Sequence, residues 1–430
     1  MAIPTKSEII NFSPINRGGK EELPEYKRKC FNDVKKRLKT GLIVSVTGLR
    51  RVGKTTLIKQ LLQERPGNSF YFSFDEKKYA NSESLKRVLD VFLEESETRG
   101  VKPLIALDEV FRVEDWAGII KRYHDQKLAN FIVTGSSSLY IKKGIESLSG
   151  RMLEFNLPPL SFEEYLEMIG KNPVKLNSSN LFKAKVRYED ELQDFFVKGS
   201  FPETVKMDIK TAIEYIRTST IEKIVFDDIP SIFKIEYPSK LYDLLRLCAT
   251  NSSHTFSEVN FAEALQISRH PVSDYLLYLN RSYLVDILYP VGSFQKALKK
   301  QKKIFVKTAS IYNALSEQPN LGQAAETAVF DKLSRYQIDN KLDRKILFYR
   351  DPQKREVDFI FEHSAKSIYP IEVKYQSSIT SSDLSSILYY MKQFKRDKGI
   401  IVTKDLLDER KIDGKTLIFI PLDLFLLFEF

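Results

Sequence analysis

The chain of 430 residues is poor in the groups that build metal and redox centres, with two cysteines and four histidines. Cys30 and Cys248 are far apart and have no CxxC spacing, which excludes a disulfide framework and a cysteine zinc site and leaves both as packing residues. His124, His254 and His363 show no ligand spacing either. No apolar run is long enough to span a bilayer; the longest, 417–430, is interrupted by Pro421 and Asp423. The start lacks the apolar core of a signal peptide: 1–27 is polar, with prolines and a Gly-Gly pair, and reads as an extended arm leading into a first helix. The expected location is therefore the cytoplasm, with no membrane partner. Internal repeats and low-complexity tracts are absent. Acidic residues are missing between Asp286 and Glu317, where Lys296, Lys299, Lys300, Lys302, Lys303 and Lys307 crowd together. With a net charge of +10, this run is either a solvated loop or a phosphate contact.

Against these absences one stretch is specific. An apolar, β-branched run, 43–47, leads into Gly48-Leu49-Arg50-Arg51-Val52-Gly53-Lys54-Thr55-Thr56, and Leu57, Ile58, Leu61 and Leu62 then recur at helical spacing. Strand, Gly-x-x-x-x-Gly-Lys-Thr and helix in succession predict a phosphate-binding loop. Gly48 and Gly53 allow a tight turn whose N–H groups, with the helix N-terminus, face nucleotide phosphates. Lys54 is expected on the β- and γ-phosphates and Thr55 on Mg²⁺. ATP or ADP and Mg²⁺ are thus the implied ligands.

Downstream, 70–74 reads as a strand, 82–97 as a helix, and 103–109 as a buried strand ending in Asp108 and Glu109. Strand 130–136 ends in small hydroxyl residues. The alternation predicts an α/β fold: a parallel sheet covered on both faces, with ligands at the carboxyl ends of its strands. Asp108 then falls near the Mg²⁺ shell, and Glu109 where it can polarise an attacking water. Thr134 or Ser136 is placed to hydrogen-bond the water or the γ-phosphate, unless these hydroxyls only satisfy loop backbone.

These residues resemble the prokaryotic, largely archaeal, AAA-type ATPases related to the STAND class of signalling NTPases. The likeness rests on the phosphate loop, on Leu107-Asp108-Glu109-Val110 followed by Trp116, and on Thr134-Gly135-Ser136-Ser137-Ser138. It continues through Leu148-Ser149-Gly150-Arg151, then 159–165, and Gly199-Ser200-Phe201-Pro202-Glu203. It implies an ATPase core followed by a small helical lid, and a homo-oligomer as one possible assembly. Arg151 becomes a candidate sensor of the γ-phosphate, in its own chain or across a subunit contact, and Pro202 part of a lid motif that closes on the nucleotide. Phe111 departs from the pattern, since such proteins often carry glutamine there.

From 241 the sequence changes to short helices. Ser268 can cap a third helix, Pro271 fits its first turn, and Val272, Tyr275, Leu276 and Leu279 form its buried face. Two β-rich stretches, 283–289 and 303–307, follow around the lysine-rich turn, as in a winged helix-turn-helix. There Arg269, His270 and Ser273 would face a DNA groove, with Lys299, Lys300, Lys302 and Lys303 on phosphate. A packing or nucleotide-sensing role without DNA is the alternative.

The final segment has another signature. Glu326 sits on a helix, 346–350, 356–361 and 369–374 read as strands, and the strand period puts Glu372 and Lys374 on one face. Carboxylates gathered at strand ends suit Mg²⁺, and a neighbouring lysine can orient water. Glu326, Asp358 and Glu372-x-Lys374, followed by a helix at 382–394 and a strand at 399–403, resemble the PD-(D/E)XK restriction-endonuclease-like fold. The resemblance implies Asp358 and Glu372 as metal ligands and all four as catalytic residues, or else a domain kept for binding alone. The expected division is arm and lead-in helix 1–40, core 41–165, lid 166–235, winged helix 236–310 and nuclease-like domain 311–430. Three functions stand: an ATPase acting on DNA, a nucleotide-operated switch signalling through protein contacts or self-association, and a nuclease with a regulatory nucleotide.

Overall fold

The structure, a computed structural model, describes residues 2–100, 102–135, 148–292, 301–339, 346–364 and 367–430. It divides into two units, Met1–Pro159 and Leu160–Phe430. In the first, strands β1 (Ile43–Thr47), β2 (Ser69–Ser73), β3 (Leu104–Asp108), β4 (Asn130–Gly135) and β5 (Met152–Asn156) form one parallel sheet in the order β2-β3-β4-β1-β5. Strands covered on both faces are apolar throughout, and β1 and β3 are buried along their whole length. Phe70, Phe72, Ile105, Leu107, Phe131 and Val133 join Phe92 of helix Ser82–Arg99 in one core, with the Phe70 and Phe92 rings stacked at 4.7 Å. Asn81 caps that helix at its start and Gly100 ends it in the left-handed conformation. Strand β4 lies between β1 and β3, pairing Thr134 with Val46 and Val133 with Leu107. The carboxyl ends of the three therefore meet at one edge.

The amino-terminal segment corrects the expectation of an extended arm. Thr5 and Glu8 make a reciprocal capping box on helix Lys6–Asn11, whose Ile9 is buried in the core. The Asn16 side chain is buried and donates to the carbonyls of Ile9 and Tyr71. Strand β5 was also not expected: it is an edge strand with a mostly half-exposed pattern, which weakens the apolar signal.

The second unit carries a nine-stranded mixed sheet. Its strands are β6 (Thr255–Phe256), β7 (Val285–Pro290), β8 (Lys302–Val306), β9 (Ile346–Arg350), β10 (Glu356–Glu362), β11 (Ile368–Lys374), β12 (Lys398–Thr403), β13 (Asp408–Ile412) and β14 (Lys415–Pro421). Their order is β13-β14-β12-β11-β10-β9-β7-β8-β6. Helices Pro238–Thr250, Glu258–Leu265 and Arg269–Arg281 precede the β7–β8 hairpin. Val272, Tyr275, Leu276 and Leu279 are buried on the third of them, as its periodicity requires. The hairpin does not project freely: β7 pairs in parallel with β9, Tyr289 beside Leu347 and Pro290 beside Phe348, which extends the carboxy-terminal sheet. The apolar 417–430 stretch supplies β14 and helix Leu422–Leu427. Among the described residues no helix is long and apolar enough to cross a membrane.

Candidate nucleotide site and acidic cluster

The loop after β1 turns through Gly48 at φ +141°, where a Cβ would lie 2.3 Å from the Leu157 carbonyl oxygen. Only glycine fits there. Gly53, at φ 93°, starts helix Lys54–Gln63. Lys54 is buried with its Nζ 3.0 Å from the carbonyl oxygens of both Gly48 and Leu49, inside the loop whose phosphates it is expected to meet. Arg50, Arg51 and Val52 lie on the loop and Thr56 in the first turn of the helix. Sequence reasoning missed Arg28, which donates from Nη1 to the Val52 carbonyl at 2.8 Å and from Nη2 to those of Pro158 and Pro159. It clamps the loop from the amino-terminal segment.

Asp108 ends β3 and Glu109 follows it, as the pattern predicts. The Thr55 hydroxyl donates to Asp108 Oδ2 at 2.8 Å, and Thr134 donates to Oδ1. The Thr134 hydroxyl in turn accepts from the Glu109 N–H at 3.0 Å. Glu109 adopts φ 52°, so the chain turns sharply where the strand ends. Tyr71 is a second omission: its hydroxyl donates to Asp108 Oδ2 at 2.9 Å, and burial followed by the Asp108 charge pushes the phenol well above its usual range. The signal was a tyrosine inside a buried Phe-rich strand, where the phenol must find a partner. Thr55 and Asp108 offer adjacent oxygen ligands of the kind Mg²⁺ takes, so the residues fit that ion. Phe111, in the place of the expected glutamine, packs on Trp116 and on Gly135, where a Cβ would lie 1.9 Å from its ring. Ser136 lies outside the described residues.

Arg151 is not brought to this site within its own chain. It immediately precedes β5, where its carbonyl accepts from the Ile43 N–H at the start of β1 and its Nε binds Asp125 at 2.6 Å. A five-residue strand is about 16 Å long, and the phosphate loop is at its other end. The same-chain sensor role is corrected on that ground. Pro202 belongs to the second unit, beside Gly199, whose missing Cβ leaves room for the Phe195 ring.

In the second unit Glu326, Asp358, Glu372 and Lys374 come together. Glu372 Oε1 accepts from Lys374 Nζ at 2.8 Å, and Asp358 Oδ2 accepts from the Val373 N–H at 3.0 Å. The unexpected member is Lys303 of β8, 1% exposed, with Nζ 2.7 Å from Glu356 Oε1 and 3.0 Å from Asp358 Oδ1. Burial opposes the charge on Asp358, but Lys303 and the Val373 N–H outweigh it and hold the carboxyl below its ordinary value. Burial, then the Asp358 charge, pushes Glu326 well up and Glu372 to about 8. A raised carboxyl stabilises the fold fully below its unfolded value, near 4.5, and that contribution is lost as pH rises through the folded value. Glu372→Gln is therefore expected to flatten the loss of thermal stability between pH 4.5 and about 8. Melting temperatures across that range check it, and a slope equal to wild type contradicts it.

The DNA contacts proposed from sequence are only partly available. Lys303 is a correction: it is buried in the acidic cluster, because β8 is an interior strand. Arg269 and Ser273 both donate to Glu258 Oε2, at 3.1 and 2.8 Å, and the exposed His270 lies 3.3 Å from Asp274. Lys302 stands over the Tyr289 ring, whereas Lys296, Lys299 and Lys300 lie outside the described residues. Lys307 is paired with Asp286 at 2.9 Å.

A parallel sheet with a glycine-turned loop, its lysine and threonine, and a facing aspartate define a P-loop nucleotide-binding domain. Residues 40–166 match the family model of the AAA domain, which supports an ATPase of the P-loop, AAA type. Residues 189–322 and 321–425 match two domains of unknown function, DUF8612 and DUF4143. The uncharacterized protein MJ1637 of Methanocaldococcus jannaschii is 26% identical over 424 residues, covering 90% of this chain and 84% of that one. An uncharacterized protein of Haemophilus influenzae is 24% identical over 403 residues, covering 89% of this chain and 94% of that one. Among solved structures, the Walker-type ATPase of Pyrococcus abyssi overlays with a TM-score of 0.45 at 13% identity, covering 67% of this chain and 95% of that one.

Proposed function

We propose that the chain is a Mg²⁺-dependent ATPase working as a nucleotide-operated switch. The observation that carries this reading is the hydrogen-bonded row of Thr55, Asp108, Thr134 and the Glu109 backbone, set beside the buried Lys54. Bound Mg²⁺ would neutralise phosphate charge. The chain's own residues do the rest. Lys54, now on the Gly48 and Leu49 carbonyls, would bind the phosphates, and Thr55 and Asp108 would hold the ion. Tyr71 and Thr134 hold Asp108 in place, and Glu109 would take the proton of the attacking water. Arg151 acts, on this reading, only across a contact with a second copy.

Glu109→Gln is expected to lower turnover by about 10²-fold or more while ATP binding persists, since general-base assistance is worth that much. Phosphate release and nucleotide affinity, measured together, check it; equal loss of both would make Glu109 a structural residue instead.

The division into core 41–165, lid 166–235, winged helix 236–310 and nuclease-like domain 311–430 goes with this proposal. Signalling through protein contacts is favoured over DNA action by Glu258, whose carboxylate holds Arg269 and Ser273. A second reading, action on DNA, is supported by the gathering of Glu326, Asp358, Glu372 and Lys374, and by the net charge of +10. Phosphate release with single-stranded, duplex and branched DNA at two salt concentrations separates the two. Salt-sensitive stimulation by one form selects the DNA reading; slow turnover indifferent to all of them selects the switch.

A further inference from the structure

Carboxylates gathered on neighbouring strands would take a divalent ion, but the cluster of the second unit already contains a cation. Lys303 arrives from β8, outside the 311–430 segment that carries the nuclease-like residues. Its Nζ lies 2.7 Å from Glu356 and 3.0 Å from Asp358, and 5.6 Å from the centre of the Phe348 ring. Its backbone cannot readily turn away. Lys303 pairs with Leu288 of β7 on one side and Thr255 of β6 on the other, so two ladders fix where the side chain points.

The remaining oxygens of Asp358 and Glu372 are also engaged. Asp358 Oδ2 takes the Val373 N–H, Glu372 Oε1 takes Lys374, and Glu372 Oε2 lies 3.4 Å from the Asp358 N–H. Among the described residues no three His, Cys, Asp or Glu side chains are grouped to hold a metal ion. Mg²⁺ requires carboxylate oxygens at about 2.0–2.1 Å in near-octahedral array, and an ammonium on the same oxygens denies it both the space and the charge. The residues as arranged do not fit the ion that the nuclease-like pattern implies.

We propose that Lys303 stands in for that ion. It neutralises Asp358 and Glu356, closes the cluster to Mg²⁺ and Mn²⁺, and makes a nuclease-shaped constellation into a metal-free ion-pair core. The inference goes beyond the ATPase reading and does not rest on it, because every residue involved lies in the second unit.

The test is a Mn²⁺ titration of the full chain without nucleotide, with free Mn²⁺ followed by electron paramagnetic resonance. Wild type and Glu372→Gln are expected to bind alike, sharing only whatever the phosphate loop takes. Lys303→Met is expected to gain one further site, roughly tenfold or more tighter than any wild-type binding, as removal of an adjacent like charge allows. Adding Glu372→Gln to Lys303→Met should remove that site. Wild-type binding that Glu372→Gln abolishes would overturn the proposal, and so would a folded Lys303→Met variant that gains nothing. Should Lys303→Met not fold, the comparison of wild type with Glu372→Gln decides alone.

Discussion

Lys54→Ala is expected to abolish ATP turnover, by about 10³-fold at least, since one preorganised donor on developing phosphate charge is worth that order. Its ammonium is stored 3.0 Å from the Gly48 and Leu49 carbonyls, within the loop that would enclose the phosphates. Alanine is well suited to the first turn of helix Lys54–Gln63, so the fold should survive the change. Steady-state phosphate release checks it, with melting temperature as the control for folding. Undiminished turnover in a folded variant would remove the phosphate-loop assignment, and with it the proposed roles of Thr55, Asp108 and Glu109.

Lys303→Met should have the largest effect on stability. Removing one partner of a buried ion pair leaves the other uncompensated, at a cost of about 3–5 kcal/mol. Here Asp358 would lose its close cation and Glu356 would keep only Arg350 at 3.4 Å, in a site where Lys303 is 1% exposed. The prediction is specific to charge rather than to volume, because methionine nearly conserves the stem. Chemical denaturation should show the single variant strongly destabilised and Lys303→Met with Asp358→Asn much less so than the sum of the two changes. Simple additivity would mean that Lys303 acts by packing alone.

The two sites were legible to different degrees. Gly48, Gly53, Lys54, Thr55, Asp108 and Glu109 are adjacent in sequence to strand ends, so local pattern was enough to group them. Glu372 and Lys374 were likewise paired by the period of two, and their 2.8 Å contact follows from it. Arg28, Tyr71 and Lys303 were not found because each reaches its partner across the fold. Arg28 meets Val52 from a strandless segment 24 residues earlier, and Tyr71 meets Asp108 through sheet order, neither of which a local pattern contains. For Lys303 the local pattern misled: a lysine-rich run without acids reads as solvated surface, while β8 in fact lies between two strands. The helix that Thr5 and Glu8 cap went unread, because the prolines and the Gly-Gly pair of 1–27 argue for an extended arm. Strand β5 was hidden for a different reason, since an edge strand needs fewer apolar residues.

The joining of β7 to β9 bears on how this chain could be inherited. The stretches 189–322 and 321–425 match separate families, and their boundary would be an obvious place for recombination to cut. A cut there would bare the edge of β9 and strip Asp358 of the lysine that balances it. Neither fragment could be exchanged for a foreign one unless the new neighbour brought both a matching strand and a buried cation. Lineages carrying this sheet are therefore expected to pass the two stretches on as a single block.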